Sequence, residues 1–126
     1  MPIEHHIAQG RYIVFRAMGA VTGSEIIEAN QWLYAGSQNE GPAKFQLWDF
    51  SATTQINVDI GLIEKMAAQD KQAAQTISQL FVALVAPEDL IYGLSRMWQA
   101  FADDEAIESK IFRDFGNAEI WLRSQM

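Results

Sequence analysis

Residues 80–86, Leu-Phe-Val-Ala-Leu-Val-Ala, form an unbroken apolar run that Pro87 closes. The run is seven residues long, far short of the roughly 20 that cross a bilayer as a helix. Its length and branched side chains suit a β-strand covered on both faces, with proline at its end. A chain built around such a strand must supply two covering layers. Just beyond it, Leu90, Leu94, Met97, Trp98 and Phe101 recur at i, i+4, i+7, i+8 and i+11. That stripe predicts an amphipathic helix over roughly Glu88–Ala102, and hence one of the layers.

The remaining elements follow from similar signals. Ile3–Ile7 and Arg11–Met18 read as strands joined by Ala8-Gln9-Gly10, an antiparallel hairpin. The consecutive Ile13, Val14 and Phe15 imply that the second strand is covered on both sides. Thr22-Gly23-Ser24-Glu25 has the spacing of a capping box. The helix it opens carries Ile26, Ile27, Ala29, Trp32 and Leu33 and is expected to end near Gly36. After the Gly41-Pro42 breaker, Phe45–Phe50 reads as a strand and Ser51–Gln55 as a polar loop. A long helix is expected from Asn57 or Asp59 to Thr76, with Ile60, Ile63, Met66, Ala67 and Ala74 facing inward. Ser109–Arg113 has the look of an edge strand, and Gly116–Gln125 of a last helix docked by Ala118, Trp121 and Leu122.

The order ββαβαβαβα predicts an α/β domain with a mixed, mostly parallel five-stranded sheet and four helices, the first strand antiparallel. Right-handed crossovers between neighbouring strands place the helices mainly on one face. The apolar run then requires either a helix that crosses to the other face or a second subunit, and a homodimer is the preferred expectation.

With 126 residues and no composition break, linker or repeat, the whole of 1–126 reads as one domain. A formal charge of −7 argues against a phosphate-backbone partner, so no nucleic acid is expected. The absence of cysteine excludes disulfides, thiolate metal sites and thiol nucleophiles. Met1-Pro2-Ile3-Glu4-His5-His6 has neither the cationic start nor the apolar core of a signal peptide, which makes the cytoplasm the default expectation.

Ligands of open α/β sheets sit beyond the carboxyl ends of the strands. Gly19 to Thr22, Asp49 with Ser51, Glu88 with Asp89, and Asp114 are expected there. Carboxylates at one edge can serve as an acid/base pair or hold magnesium. The plainer reading is that Asp49 caps its loop while Asp89 and Asp114 cap helices. His5 and His6 are adjacent in a strand, so they point to opposite faces and do not chelate one metal together. No nucleophile-and-base arrangement is legible, and neither a metal nor another cofactor is called for.

Gly93 interrupts a well-patterned helix at a cost of about 0.8–1.0 kcal/mol relative to alanine, which argues for close approach by a neighbouring strand or a ligand. Arg96 lies three residues on, on the same side. With Tyr92 it can form an aromatic–guanidinium pocket for a carboxylate or phosphate. The competing reading is helix packing at Gly93 and a surface ion pair from Arg96 to Asp103 or Glu88. Tyr92, Gly93, Arg96, Asp49 and Ser51 are thus the candidate ligand-binding residues.

Tyr92-Gly93-Leu94-Ser95-Arg96-Met97, Ile111-Phe112-Arg113-Asp114 followed by Ala118-Glu119-Ile120-Trp121-Leu122, and the strand end Trp48-Asp49-Phe50-Ser51 together resemble the small bacterial SpoIIAA-like proteins of the STAS and CRAL-TRIO-related branch. The resemblance covers nearly the whole chain. It implies a STAS fold and a non-enzymatic regulatory module acting through protein partners. Phosphoswitch members carry a serine at the start of the second helix, whereas Val58-Asp59-Ile60-Gly61-Leu62 offers no hydroxyl there. The ordinary switch is therefore not expected, and only Ser51, Thr53 and Thr54 lie nearby. The CRAL-TRIO side of the resemblance implies an alternative, a carrier of a small apolar or anionic ligand in a pocket at the third helix. An enzyme built on Asp49 and its neighbours is the least supported class.

Overall fold

The structure is a computed structural model that describes residues 2–35 and 41–126. Five strands form a single sheet in sequential order: β1 (Ile3–Ala8), β2 (Tyr12–Thr22), β3 (Phe45–Asn57), β4 (Leu80–Val85) and β5 (Ile107–Phe112). β1 is antiparallel to β2, and every other pairing is parallel. Four helices alternate with them: α1 (Gly23–Leu33), α2 (Ile60–Ile77), α3 (Asp89–Phe101) and α4 (Phe115–Ser124). The expected α/β architecture is present, with strands and helices in the expected order. The expected end of α1 at Gly36 lies outside the described residues.

Local chemistry explains most boundaries. Thr22 and Glu25 close the capping box, with the Glu25 amide donating to Thr22 Oγ1 at 3.2 Å and the Thr22 amide to Glu25 Oε1 at 2.9 Å. Asp59 caps α2 by accepting from the Leu62 amide at 2.9 Å, and Asp114 caps α4 by accepting from Asn117 at 2.9 Å. α3 differs: its N-cap is Glu88, which makes no side-chain cap bond. Asp89 pairs instead with Arg113 at 2.9 Å, so the capping role expected for Asp89 is not filled.

Leu80–Val85 is buried at every position, and the two-residue strand period divides it between two cores. Leu80, Val82 and Leu84 pack with α1, α2 and α3. Phe81, Ala83 and Val85 pack with Ala118 and Leu122 of α4. Three helices therefore line one face, and α4 covers the other. The second layer that the apolar run demands comes from the chain itself, which removes the packing argument for a second subunit.

Ser51–Gln55 corrects the expectation of a loop. These residues continue β3, pairing with the end of β2 as far as Thr22↔Asn57. Two register shifts, at Arg16/Met18 and Gly19/Ala20, absorb extra β3 residues as bulges, and Gly19 takes a positive φ of 69° beside the second. β4 reaches only as far as Asp49. The polar composition of 51–55 therefore reflects a two-stranded ribbon projecting past the sheet into solvent, where threonine is a good strand former. Thr53 alone of this stretch is buried, its hydroxyl donating to the Ala17 carbonyl at 2.8 Å.

Candidate functional site

The three helices on one face do not close completely over the sheet. A cavity of about 70 Å³ lies between β3–β4 and α1–α3. β3 contributes Trp48, Phe50 and Ile56; β4 contributes Val82 and Leu84. Ile63 and Met66 of α2 and Ile91, Leu94 and Trp98 of α3 complete the apolar wall. Among its lining residues Ile56, Val58 and Leu94 are half-buried while the rest are buried, so access to solvent is on their side. That side is also the carboxyl end of β3 and β4, the usual position for ligands in open α/β sheets.

Four polar residues interrupt the wall: Asn30, Gln46, Asp70 and Ser95. Asp70 is the unusual one, a carboxyl group 4% exposed on the inner face of α2. Trp98 Nε1 donates to its Oδ2 at 2.9 Å, and the Tyr34 hydroxyl donates to its Oδ1 at 2.6 Å. Asn30 Nδ2 stands 3.4 Å from the same Oδ1. Gln46 Nε2 donates to the Tyr34 oxygen at 2.8 Å, and Trp48 Nε1 donates to Gln46 Oε1 at 3.1 Å. One connected network thus ties α1, α2, α3 and β3 together at the closed end of the cavity. Asn30 Oδ1 is buried without a hydrogen-bond partner among the described residues. Asn30 also borders a second hollow between α1 and α2, about 300 Å³, whose other walls include Gln31, Gln69 and Gln72.

Burial pushes the Asp70 carboxyl up to about 6, against the opposing pull of the Tyr34 and Trp98 hydrogen bonds, which favour its ionised form. Burial, followed by the adjacent Asp70 charge, holds the Tyr34 hydroxyl well above the ordinary tyrosine range, so it remains a donor to Asp70. No lysine or arginine is among the residues lining the cavity. The site offers hydrogen-bond acceptors at its closed end and a hydrocarbon wall elsewhere.

None of the five residues singled out from sequence lines this cavity. Gly93 and Arg96 are exposed on the outer side of α3. A Cβ at Gly93 would meet nothing within 4 Å, so no close approach accounts for that glycine. The guanidinium on the Tyr92 ring belongs to Arg113, 4.0 Å from the ring centroid, and Arg113 also donates to the Pro87 carbonyl at 2.9 Å. Asp49 alternates with Trp48 and Phe50 along β3 and so turns from the cavity; its Oδ1 accepts from the Ser51 amide at 2.9 Å and its Oδ2 is 3.8 Å from Arg16 Nε. His5 lies against Trp32 with centroids 4.1 Å apart and the rings tilted by 36°, and both His5 and His6 are exposed. No group of three or more His, Cys, Asp or Glu side chains suited to a metal occurs among the described residues.

The cavity residues carried a sequence signal that lay in the wrong-looking places. Asp70 follows Met66 by four residues and precedes Ala74 by four, so it sits on the apolar stripe of α2. Asn30 stands likewise between Ile27 and Leu33 on α1. A polar residue in an apolar stripe is costly to bury and must find partners. Conversely, Ile60 and Leu90, assigned to inner faces by spacing, are 55% and 64% exposed. Both lie in the first turn of their helices, where the stripe runs past the end of the core. Neither family models, nor curated proteins, nor solved structures give a match to this chain.

Proposed function

We propose that this protein is a non-catalytic binder of a small, largely apolar molecule, held between β3–β4 and α2–α3. One observation carries the reading: an apolar cavity opens at the carboxyl edge of the sheet and ends on a few convergent polar groups, the usual make-up of a small-molecule site. The lining consists of packed strands and helices, so the site is largely preformed. The groups present bind and orient, and no nucleophile is paired with a base at the cavity. The site stands on the inner side of α3, away from Tyr92, Gly93 and Arg96; among the described residues the guanidinium on the Tyr92 ring is that of Arg113, which also reaches Asp89 and the Pro87 carbonyl.

A native mass spectrum of freshly purified protein tests this directly. The expected result is extra mass that disappears on denaturation, together with saturable binding of a small neutral probe, 1-hexanol, to the emptied protein. A spectrum with no retained mass and no saturable binding of the probe overturns the reading.

A STAS-like regulatory module is the second reading, supported by the element order ββαβαβαβα with sequential strands. It places the protein in the cytoplasm, as a homodimer or with a protein partner. It does not rely on phosphorylation at the start of α2, because Asp59 occupies the cap there and residues 58–62 contain no hydroxyl. Binding and regulation are compatible if occupancy of the cavity alters the surface a partner sees.

A further inference from the structure

The closed end of the cavity restricts which apolar molecules it can hold. This step rests on the binding reading above and sharpens it. Among the described residues Asn30 Oδ1 is a buried acceptor with no donor, and Asn30 lines both this cavity and the second hollow. The Asp70 carboxylate has about four lone-pair directions, and the described contacts bring it donors from Tyr34, Trp98 and Asn30. A lone pair therefore remains on Asp70, whose Oδ1 is 3.4 Å from the Nδ2 of the same Asn30 amide. The Ser95 hydroxyl, which can donate or accept, also lines the cavity.

Among the described residues no lysine or arginine lines the cavity, so a ligand carboxylate or phosphate would bring a second negative charge against a buried carboxyl group with nothing there to offset it. A purely hydrocarbon ligand would displace water and leave the Asn30 and Asp70 acceptors unpaired. Only a donor satisfies them. From Ile63 to Asp70 on α2 is seven residues, about 10 Å at the helical rise of 1.5 Å per residue. Ile91 to Trp98 on α3 spans the same number. The half-buried residues of the lining lie toward the Ile63 and Ile91 end, so an acceptor floor lies well below the opening. At about 70 Å³ the space is small, and a slender chain fits it better than a bulky ring system.

We infer that the cavity selects slender apolar molecules ending in a hydrogen-bond donor, a hydroxyl or an amine, which enter head first to meet Asp70 and Asn30, and that it rejects fatty-acid-like anions of the same length.

Wild-type protein titrated with four probes tests the inference without any variant that might misfold. 1-Hexanol and its isomer 1-methoxypentane have the same atoms, but only the alcohol donates. Hexylamine is a cationic donor, and hexanoate is an anion. The readout is saturable movement of the Trp98 indole N–H resonance, since that proton is bonded to Asp70. The expected result at pH 7.5 is that 1-hexanol or hexylamine binds at least tenfold tighter than 1-methoxypentane, with hexanoate weaker still. Equal affinity for the alcohol and the ether overturns donor selection while leaving the binding site in place. Tightest binding by hexanoate overturns it as well, by showing that a cation reaches the floor. Absence of saturable shifts with all four overturns the binding reading itself, and the inference with it.

Discussion

Trp98 Nε1 donates to Asp70 Oδ2 at 2.9 Å, joining α3 to α2 beneath the cavity. The bond sets an apolar ring against a carboxyl group that is 4% exposed. A group of that kind is expensive to ionise unless donors surround it, and Tyr34 supplies a second strong one at 2.6 Å. The arrangement fixes the relative register of two helices and leaves an acceptor facing an apolar space. The proposed binding chemistry therefore rests on the same few atoms as the contact between α2 and α3.

The first prediction concerns pH. Asp70 is raised in the folded state from 3.8 to about 6, chiefly by burial. Between those values the folded protein binds more protons at this site than the unfolded chain, so its contribution to stability falls as pH rises from about 4 to about 6 and is level above. The rise from 3.8 to about 6 corresponds to roughly 3 kcal/mol. Urea denaturation of wild type and Asp70→Asn at several pH values isolates it: the stability of wild type minus that of the variant should fall through this window. A difference independent of pH would show that Asp70 titrates alike in both states.

Gly93→Ala should stabilise the protein by about 0.5–1 kcal/mol, because alanine is the better helix former and restricts the unfolded chain. The space is open, with nothing within 4 Å of the added carbon. Thermal or urea denaturation measures the change, and a loss of stability would mean that something does approach α3 there. By contrast, Gly23→Ala should cost stability. Its new carbon would lie 2.7 Å from Val58 Cγ2 and 2.8 Å from Leu62 Cδ1, inside contact distance of a residue at the cavity opening.

Leu122→Ala should cost about 2–5 kcal/mol, the range for emptying a fully buried leucine site. Leu122 has no exposed surface and packs with Ala118 of α4 against Phe81, Ala83 and Val85 of the sheet. Denaturant unfolding measures the loss directly. A change below 1 kcal/mol would show that α4 contributes little to covering this face.

The element order was legible because each element announces itself locally: a capping box at Thr22–Glu25, a proline after the β4 run, an apolar stripe on α3. The same local signals failed where the environment is set by a distant part of the chain. Ser51–Gln55 look like a loop until β2 is seen to accompany them past the end of β4. Tyr92 and Arg96 look like partners at i and i+4, yet Arg113, from the end of β5, takes the Tyr92 face. The polar network beneath the cavity was harder still, since Asn30 and Tyr34 of α1 and its C-cap, Gln46 of β3, Asp70 of α2 and Trp98 of α3 meet only when the helices pack. What sequence did hold was the anomaly of Asp70 and Asn30 within apolar stripes, a sign that hydrogen-bond partners must exist without saying which.

Trp98→Phe tests the coupling between the network and the charge on Asp70. Phenylalanine retains most of the apolar contact but removes the indole N–H, and with it a hydrogen bond that favours the ionised carboxylate. The Asp70 pKa should therefore move upward from about 6. At pH 8, where the wild-type group is ionised, the variant should lose about 2–4 kcal/mol, combining the lost charge-assisted bond with the smaller side chain. At pH 4.5 the carboxyl is largely protonated in both proteins, and the loss should shrink by about 1 kcal/mol or more. Urea denaturation at the two pH values gives the comparison. Equal losses at both would mean that the indole serves only as packing and that Asp70 draws its support from Tyr34 and Asn30.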